Sequence, residues 1–204
     1  MPNLGPIPYK LLLRPLLFRL PPEAARKVVD LGLGRHNLWR ALAPALRVRD
    51  ARLATDLCGL PLENPVGLAA GFDKDCQLLP SMAAMGFGYL VAGTVTESPR
   101  PGNPKPRLLR HVSEESLVNA LGFPNKGLEH AARRLELAQG TLGDTQLAVS
   151  VSGTTTEEIA RCHKRLEPLV DAVELNISSP NTEGLRAFHE PQTLSDLIGR
   201  DDED

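Results

Sequence analysis

Alternating strands and helices, with polar residues gathered where the strands stop, predict an α/β fold on a parallel sheet, open or closed into a barrel. Three observations carry this. Apolar runs at Tyr89–Val95, 147–151 and 172–177 read as strands buried on both faces, the signature of parallel sheets. Between them, residues 127–139 place Leu128, Ala131, Ala132, Leu135 and Ala138 at helical spacing. Hydroxyl, amide and glycine residues then cluster at the carboxyl ends of the strands, where such folds carry their chemistry. With 204 residues, 42% of them hydrophobic, the chain suffices for a packed core. Aromatic residues make up only 4%, so that core rests on Leu, Val, Ala and Ile.

The first 52 residues differ from the rest. They hold ten Lys/Arg and three acids, a net +7, which leaves 13 basic and 22 acidic residues, net −9, for 53–204. Leu11, Leu12, Leu13, Leu16, Leu17 and Leu20 with Phe18 make helical pieces, broken by Arg14, Pro15 and Arg19. No uninterrupted run approaches the ~20 residues of a spanning helix, and no signal-peptide pattern is present. The segment reads either as helices lying on an anionic membrane surface or as a helical hairpin packed on the main domain with solvated charges.

From Asp56 the elements follow in order. Residues 57–62 around Gly59 predict a hairpin, 65–70 a strand, 78–85 a helix and Tyr89–Val95 a second strand. Four prolines within 97–107 exclude regular structure there. A short hairpin over 108–118 precedes the helix at 127–139 and a strand at 147–151. Thr154–156 cap a further helix, with Glu157 and Glu158 in its first turn, where the helix dipole favours acids. A strand over 172–177 and a helix beginning at 194–198 complete the pattern. The overall charge of −2 argues against nucleic acid as a partner. Cys58, Cys76 and Cys162 have no metal-ligand spacing, so all three are expected to be small buried residues.

Four strand ends hold useful chemistry. At 67–75, small Ala69, Ala70 and Gly71 let a flat ring approach the backbone beside the cationic Lys74. Gly93-Thr-Val-Thr96 brings hydroxyls to the same edge. Asn119 sits in apolar company within 116–125, which predicts a buried amide needing partners from the backbone or a ligand. Residues 174–186 read Glu-Leu-Asn-Ile-Ser-Ser-Pro-Asn-Thr-Glu-Gly-Leu-Arg. They offer Asn176, Ser179 and Asn181 either as a site or as an Asx/Ser-rich turn capping the next helix.

The segments Ala-Ala-Gly-Phe-Asp-Lys-Asp (69–75), Gly-Thr-Val-Thr (93–96), Arg-Pro-Gly-Asn-Pro-Lys-Pro-Arg-Leu (100–108), Asn-Ala-Leu-Gly-Phe (119–123) and Asn-Ile-Ser-Ser-Pro-Asn-Thr-Glu-Gly-Leu-Arg (176–186) resemble dihydroorotate dehydrogenase in order and spacing, over roughly residues 9–198. The basic helical start, with Leu-Pro-Pro-Glu-Ala-Ala (20–25), and serine rather than cysteine at 179 resemble its quinone-dependent class 2. The resemblance implies an FMN-binding (β/α)8 TIM barrel that oxidises dihydroorotate to orotate in pyrimidine biosynthesis. Ser179 is the implied catalytic base, taking a proton from C5. Lys74, Asn119, Ala120, Leu121, Gly122, Phe123, Asn176 and Asn181 are implied at the substrate. Ala70, Gly71, Phe72, Asp73, Lys74, Thr94, Ser150 and Asn176 are implied at the flavin. Ser150 stands where the family pattern places an asparagine, within Val149-Ser-Val-Ser-Gly-Thr154. No metal is implied.

Residues 1–52 then become the membrane-associated segment through which a quinone enters, on the cytoplasmic face of a membrane and peripheral to it. Residues 53–204 become the first half of the barrel. The family continues beyond Asp204 with the remaining strands, a flavin-contacting lysine and the loops that grip the FMN phosphate. Alone, the chain is therefore expected to hold FMN weakly and to self-associate through open barrel edges. Other readings are an inactive half-barrel fragment and a different FMN barrel oxidoreductase acting on pyrimidines.

Overall fold

The computed structural model describes residues 9–177, 188 and 190–201. A π-helical turn at Tyr9–Leu13 runs into α1 (Arg14–Phe18), followed by α2 (Pro22–Leu33) and α3 (His36–Leu46). Proline opens α2 at a position that needs no N–H, with Glu23 in the first turn. These helices are tied to one another and to the chain that follows them by side-chain hydrogen bonds. Trp39 of α3 donates its ring N–H to Gly32 O of α2 (3.0 Å), and Ser81 Oγ donates to Leu33 O (2.5 Å).

A hairpin of β1 (Thr55–Leu57) and β2 (Leu60–Leu62) turns through Cys58 and Gly59, both at positive φ (51° and 89°). Cys58 is exposed at this turn, contrary to the sequence expectation, because a two-residue turn projects its side chains into solvent; Cys76 and Cys162 are buried as expected.

The main sheet has four parallel strands, in the order β3 (Gly67–Leu68), β4 (Tyr89–Val95), β7 (Gln146–Val151) and β8 (Ala172–Leu175). Between β4 and β7, the antiparallel hairpin β5 (Leu108–His111) and β6 (Ser116–Asn119) stands at the carboxyl end of the sheet. Three crossover helices, α4 (Leu79–Ala84), α5 (Leu128–Ala138) and α6 (Thr156–Leu166), bury Met82, Leu135 and Ile159 against Leu90, Leu147 and Val149. Phe188 and Leu197, the latter in α7 (Pro191–Asp201), complete that core. Thr155 caps α6 with its hydroxyl on Glu158 N (3.3 Å). Consecutive β-α units on neighbouring parallel strands make this the first half of a (β/α)8 TIM-barrel type of fold, preceded by helices.

Two strands are shorter than their apolar runs. β3 keeps two of six residues, since Pro65 lacks an N–H and Asn64 Oδ1 takes that of Val66 (3.1 Å). β8 stops at Leu175, where Asn176 passes into the loop.

Candidate functional site

The loop after β3 is laced to the end of β4. Gly71 N–H donates to Gly93 O (2.8 Å) and Gly93 N–H donates to Asp73 O (2.9 Å). Both glycines have positive φ, 95° and 96°, and a Cβ on Gly93 would come within 2.5 Å of Ser150 O. A Cβ on Gly71 would meet nothing closer than Lys74 Nζ at 3.9 Å, so the missing side chain leaves open wall rather than filled core.

That wall belongs to a cleft of about 360 Å3 at the carboxyl end of the sheet. Ala70, Gly71 and Lys74 come from the β3 loop, Thr94 from β4 and Asn176 from the end of β8; Asn119, Leu121, Gly122 and Phe123 close it from the β5–β6 side. All nine are among the residues picked out in the sequence. Lys74 is the one cation lining it among the described residues. Its ammonium donates to Gly71 O, and its pKa is lowered, first by burial and then by Arg26.

Thr94 is the hub of the cleft floor. Asn176 Nδ2 donates to Thr94 Oγ1 (3.0 Å), and Thr94 Oγ1 lies 3.0 Å from Ser150 Oγ. Asn119, expected to be buried, is instead exposed, as is all of β6, which belongs to a hairpin above the cleft. The chain around it is strapped down by the proline-rich loop. Asn103 donates through Nδ2 to Ala120 O (2.9 Å) and through N–H to Leu121 O (2.9 Å).

Four of the picked residues do not line this cleft. Ala120 contributes backbone only to the strap just described. Phe72 faces the N-terminal helices, with the Arg26 guanidinium 4.3 Å from its ring centroid. Asp73 is buried with its carboxylate turned to the start of α4, accepting from Gln77 N (2.9 Å) and Leu78 N (2.7 Å). Burial raises its pKa, and those two N–H groups oppose the rise. Ser150 is wholly buried under Thr94. Ser179 and Asn181 lie outside the described residues.

A second cavity, about 720 Å3, lies between α2 and the β3 loop; Gly71, Lys74 and Leu121 line both spaces. Arg26 lines the larger one, bonded to Phe72 O and paired with Asp30 (2.6 Å). Two organising residues went unnoticed in the sequence. One is Arg26, for which a helical arginine gives no signal. The other is Asn125, whose amide takes Gly127 N (2.8 Å) and donates to Thr96 Oγ1 (2.9 Å) and Phe123 O (2.8 Å). Its place in 116–125, beside Gly127, was the available hint.

Small residues, amides, a hydroxyl and a cation thus meet at the carboxyl ends of parallel strands, where barrel folds place their sites. The family profile described as dihydroorotate dehydrogenase matches residues 52–201, and the chain belongs to that family. It is 41% identical over 198 residues to the dihydroorotate dehydrogenase (quinone) of Thermus thermophilus, covering 90% of this chain and 56% of that protein. Its identity to the same enzyme of Chloroflexus aurantiacus is 38% over 202 residues, covering 93% and 56%. The solved structure of DHODH from Eimeria tenella in complex with ferulenol superposes with a TM-score of 0.72 at 32% identity, covering 82% of this chain and 49% of that one. The chain thus spans about half the length of the curated relatives it matches.

Proposed function

We propose that this chain carries the substrate side of a quinone-dependent dihydroorotate dehydrogenase site, oxidising dihydroorotate to orotate in pyrimidine biosynthesis with FMN as cofactor. The convergence of nine motif residues on one cleft carries this reading. Ala70 and Gly71 make a flat wall that fits the flavin ring, and the space a Cβ at Gly71 would take is left for it. Thr94 and Asn176 offer hydrogen bonds at its floor. The cleft is thus suited to the ring rather than to the phosphate. When bound, FMN supplies the two-electron acceptor for the oxidation.

The remaining chemistry falls to the chain. Lys74 receives the substrate carboxylate, since it is the one cation lining the cleft among the described residues and a partly buried pairing with an anion is the stronger one. Asn119 and Asn176 match the alternating C=O and N–H edge of the pyrimidine. Ser179, from the motif, takes the C5 proton; a hydroxyl is a weak base, so it depends on neighbours and on exclusion of water.

The 720 Å3 cavity abutting the cleft at Gly71, Lys74 and Leu121 supports entry of the quinone from the side of the N-terminal helices. Residues 1–52 form the membrane-facing unit and 53–204 the catalytic one. Leu11 (69% exposed), Leu12 (66%) and Leu16 (59%) stand in solvent beside Lys10, Arg14 and Arg19, which suits a peripheral site on the cytoplasmic face. Among the described residues no helix is long and apolar enough to cross a membrane.

Anaerobic mixing of dihydroorotate with FMN-saturated protein, this chain in a full-length context, tests the proposal. Bleaching of the flavin band is expected with dihydroorotate and not with dihydrouracil, and Ser179→Ala should slow it roughly 10²–10⁴-fold. Equal bleaching by dihydrouracil points to a different pyrimidine oxidoreductase. An unchanged rate in Ser179→Ala removes that residue from the role.

A further inference from the structure

Asn176 is held on three sides, and each hold comes from β4 or from the end of β7. Its N–H donates to Val151 O (2.8 Å), and its carbonyl accepts from Ser152 Oγ (2.7 Å). Its side-chain amide donates to Thr94 Oγ1, which in turn meets Ser150 Oγ. Ser150 and Ser152 are 0% and 1% exposed, and neither lines the cleft. Two buried hydroxyls that touch no ligand space therefore converge on one residue that does.

The proton count gives the direction of the relay. Thr94 is the one partner of Ser150 Oγ among the described residues, and a buried donor left unused is costly, so Ser150 donates to Thr94. Thr94 Oγ1 then accepts twice, from Ser150 and from Asn176, and among the described residues its own proton meets no acceptor, which leaves it for the cleft it lines. Asn176 spends one amide hydrogen on Thr94, which turns Oδ1 away from Thr94. The floor thus presents a hydroxyl donor beside an amide acceptor, the complement of adjacent C=O and N–H groups on a planar heterocycle.

We propose that Ser150 and Ser152 are positioning residues that fix the backbone and side-chain orientation of Asn176, and so set the polarity with which the cleft reads a pyrimidine edge. The proposal rests on the reading of the cleft as the dihydroorotate site. The sequence expectation gave Ser150 direct contact with the flavin, whereas its burial makes its action indirect.

Protein labelled with 15N at asparagine side chains tests this, with two readouts: solvent exchange of the Asn176 amide protons and titration with orotate. In Ser150→Ala and Ser152→Ala, exchange at Asn176 should quicken at least ~10-fold, orotate affinity should fall about tenfold, and the amides of Asn64 and Asn125 should be unmoved. Ser150→Thr, which keeps the hydroxyl, should restore both readouts. Should the β7 variants fail to fold, Thr94→Val cuts the same relay from β4, with Thr94→Ser as its control. Unaltered Asn176 exchange in the hydroxyl-deleting variants overturns the proposal, even if orotate binding weakens. Quickened exchange in a protein whose wild type ignores orotate sinks the substrate reading and leaves the relay standing.

Discussion

Asp73 sits between two residues of the cleft wall yet acts on the helix behind it. Its carboxylate serves the N–H groups of Gln77 and Leu78, and its carbonyl holds Gly93, so Asp73 shapes the turn that carries Gly71 and Lys74. Asp73→Ala leaves two buried donors unserved and should cost about 2 kcal/mol of stability, read as an earlier midpoint in urea. Because burial raises its folded-state pKa, this carboxyl favours the fold most below its unfolded pKa, and that share is lost as pH rises through the folded value. Sequence placed Asp73 within the right loop and could not show which way it faced. A period-two alternation tells in from out along a strand, but no such rule covers a turn. Asn119 failed for a related reason: its apolar neighbours implied burial, while the hairpin that carries it lies above the sheet.

Strands and helices were legible wherever burial imposes a period. β4 falls where its apolar run predicts, and α5 and α6 fall within a residue or two of theirs, because their buried faces pack in one core. The extent of β3 was not legible, since an edge strand is limited by hydrogen bonds from the Asn64 side chain rather than by hydrophobicity. The docking of α2 was equally hidden. Glu23 on α2 reaches Lys105 (2.7 Å) and Arg107 (3.0 Å) of the proline-rich loop, and hydrogen bonds from these two lower its pKa below the usual 4.5. A depressed carboxyl contributes stability above its unfolded pKa and loses it as pH falls through the folded one. Docking of α2 should therefore weaken as pH falls below 4.5, and Glu23→Gln should remove that limb at a cost of about 1 kcal/mol, given its partial exposure. Trp39, the single tryptophan, reports on the α2–α3 pair through its bond to Gly32. Its emission should lose the acid-dependent change in the variant; an unchanged acid limb would assign the transition elsewhere.

The N-terminal helices and the half-barrel are joined by such contacts, and Arg110 extends them, donating to Leu20 O (2.9 Å) with its guanidinium 4.7 Å from the Phe18 ring. This arrangement sets an apolar, cationic surface beside the half-barrel. Liposomes with anionic lipid should bind the protein reversibly, each cation near the surface adding about 1 kcal/mol, and high salt should release it. Leu12→Glu with Leu16→Glu should abolish co-sedimentation; equal partitioning at all salt concentrations would exclude the membrane surface as partner. The sequence displayed the leucines and cations of this surface, but not the two adjoining cavities, which are formed by contacts between residues far apart in the chain. Calorimetric titration of orotate is the most direct test of the cleft itself. One saturable site is expected, weakened about tenfold or more by Lys74→Met and by Asn176→Ala, with uracil binding far less tightly because it lacks the carboxylate. Orotate affinity indifferent to both substitutions, or uracil bound as tightly as orotate, would contradict the assignment of this cleft.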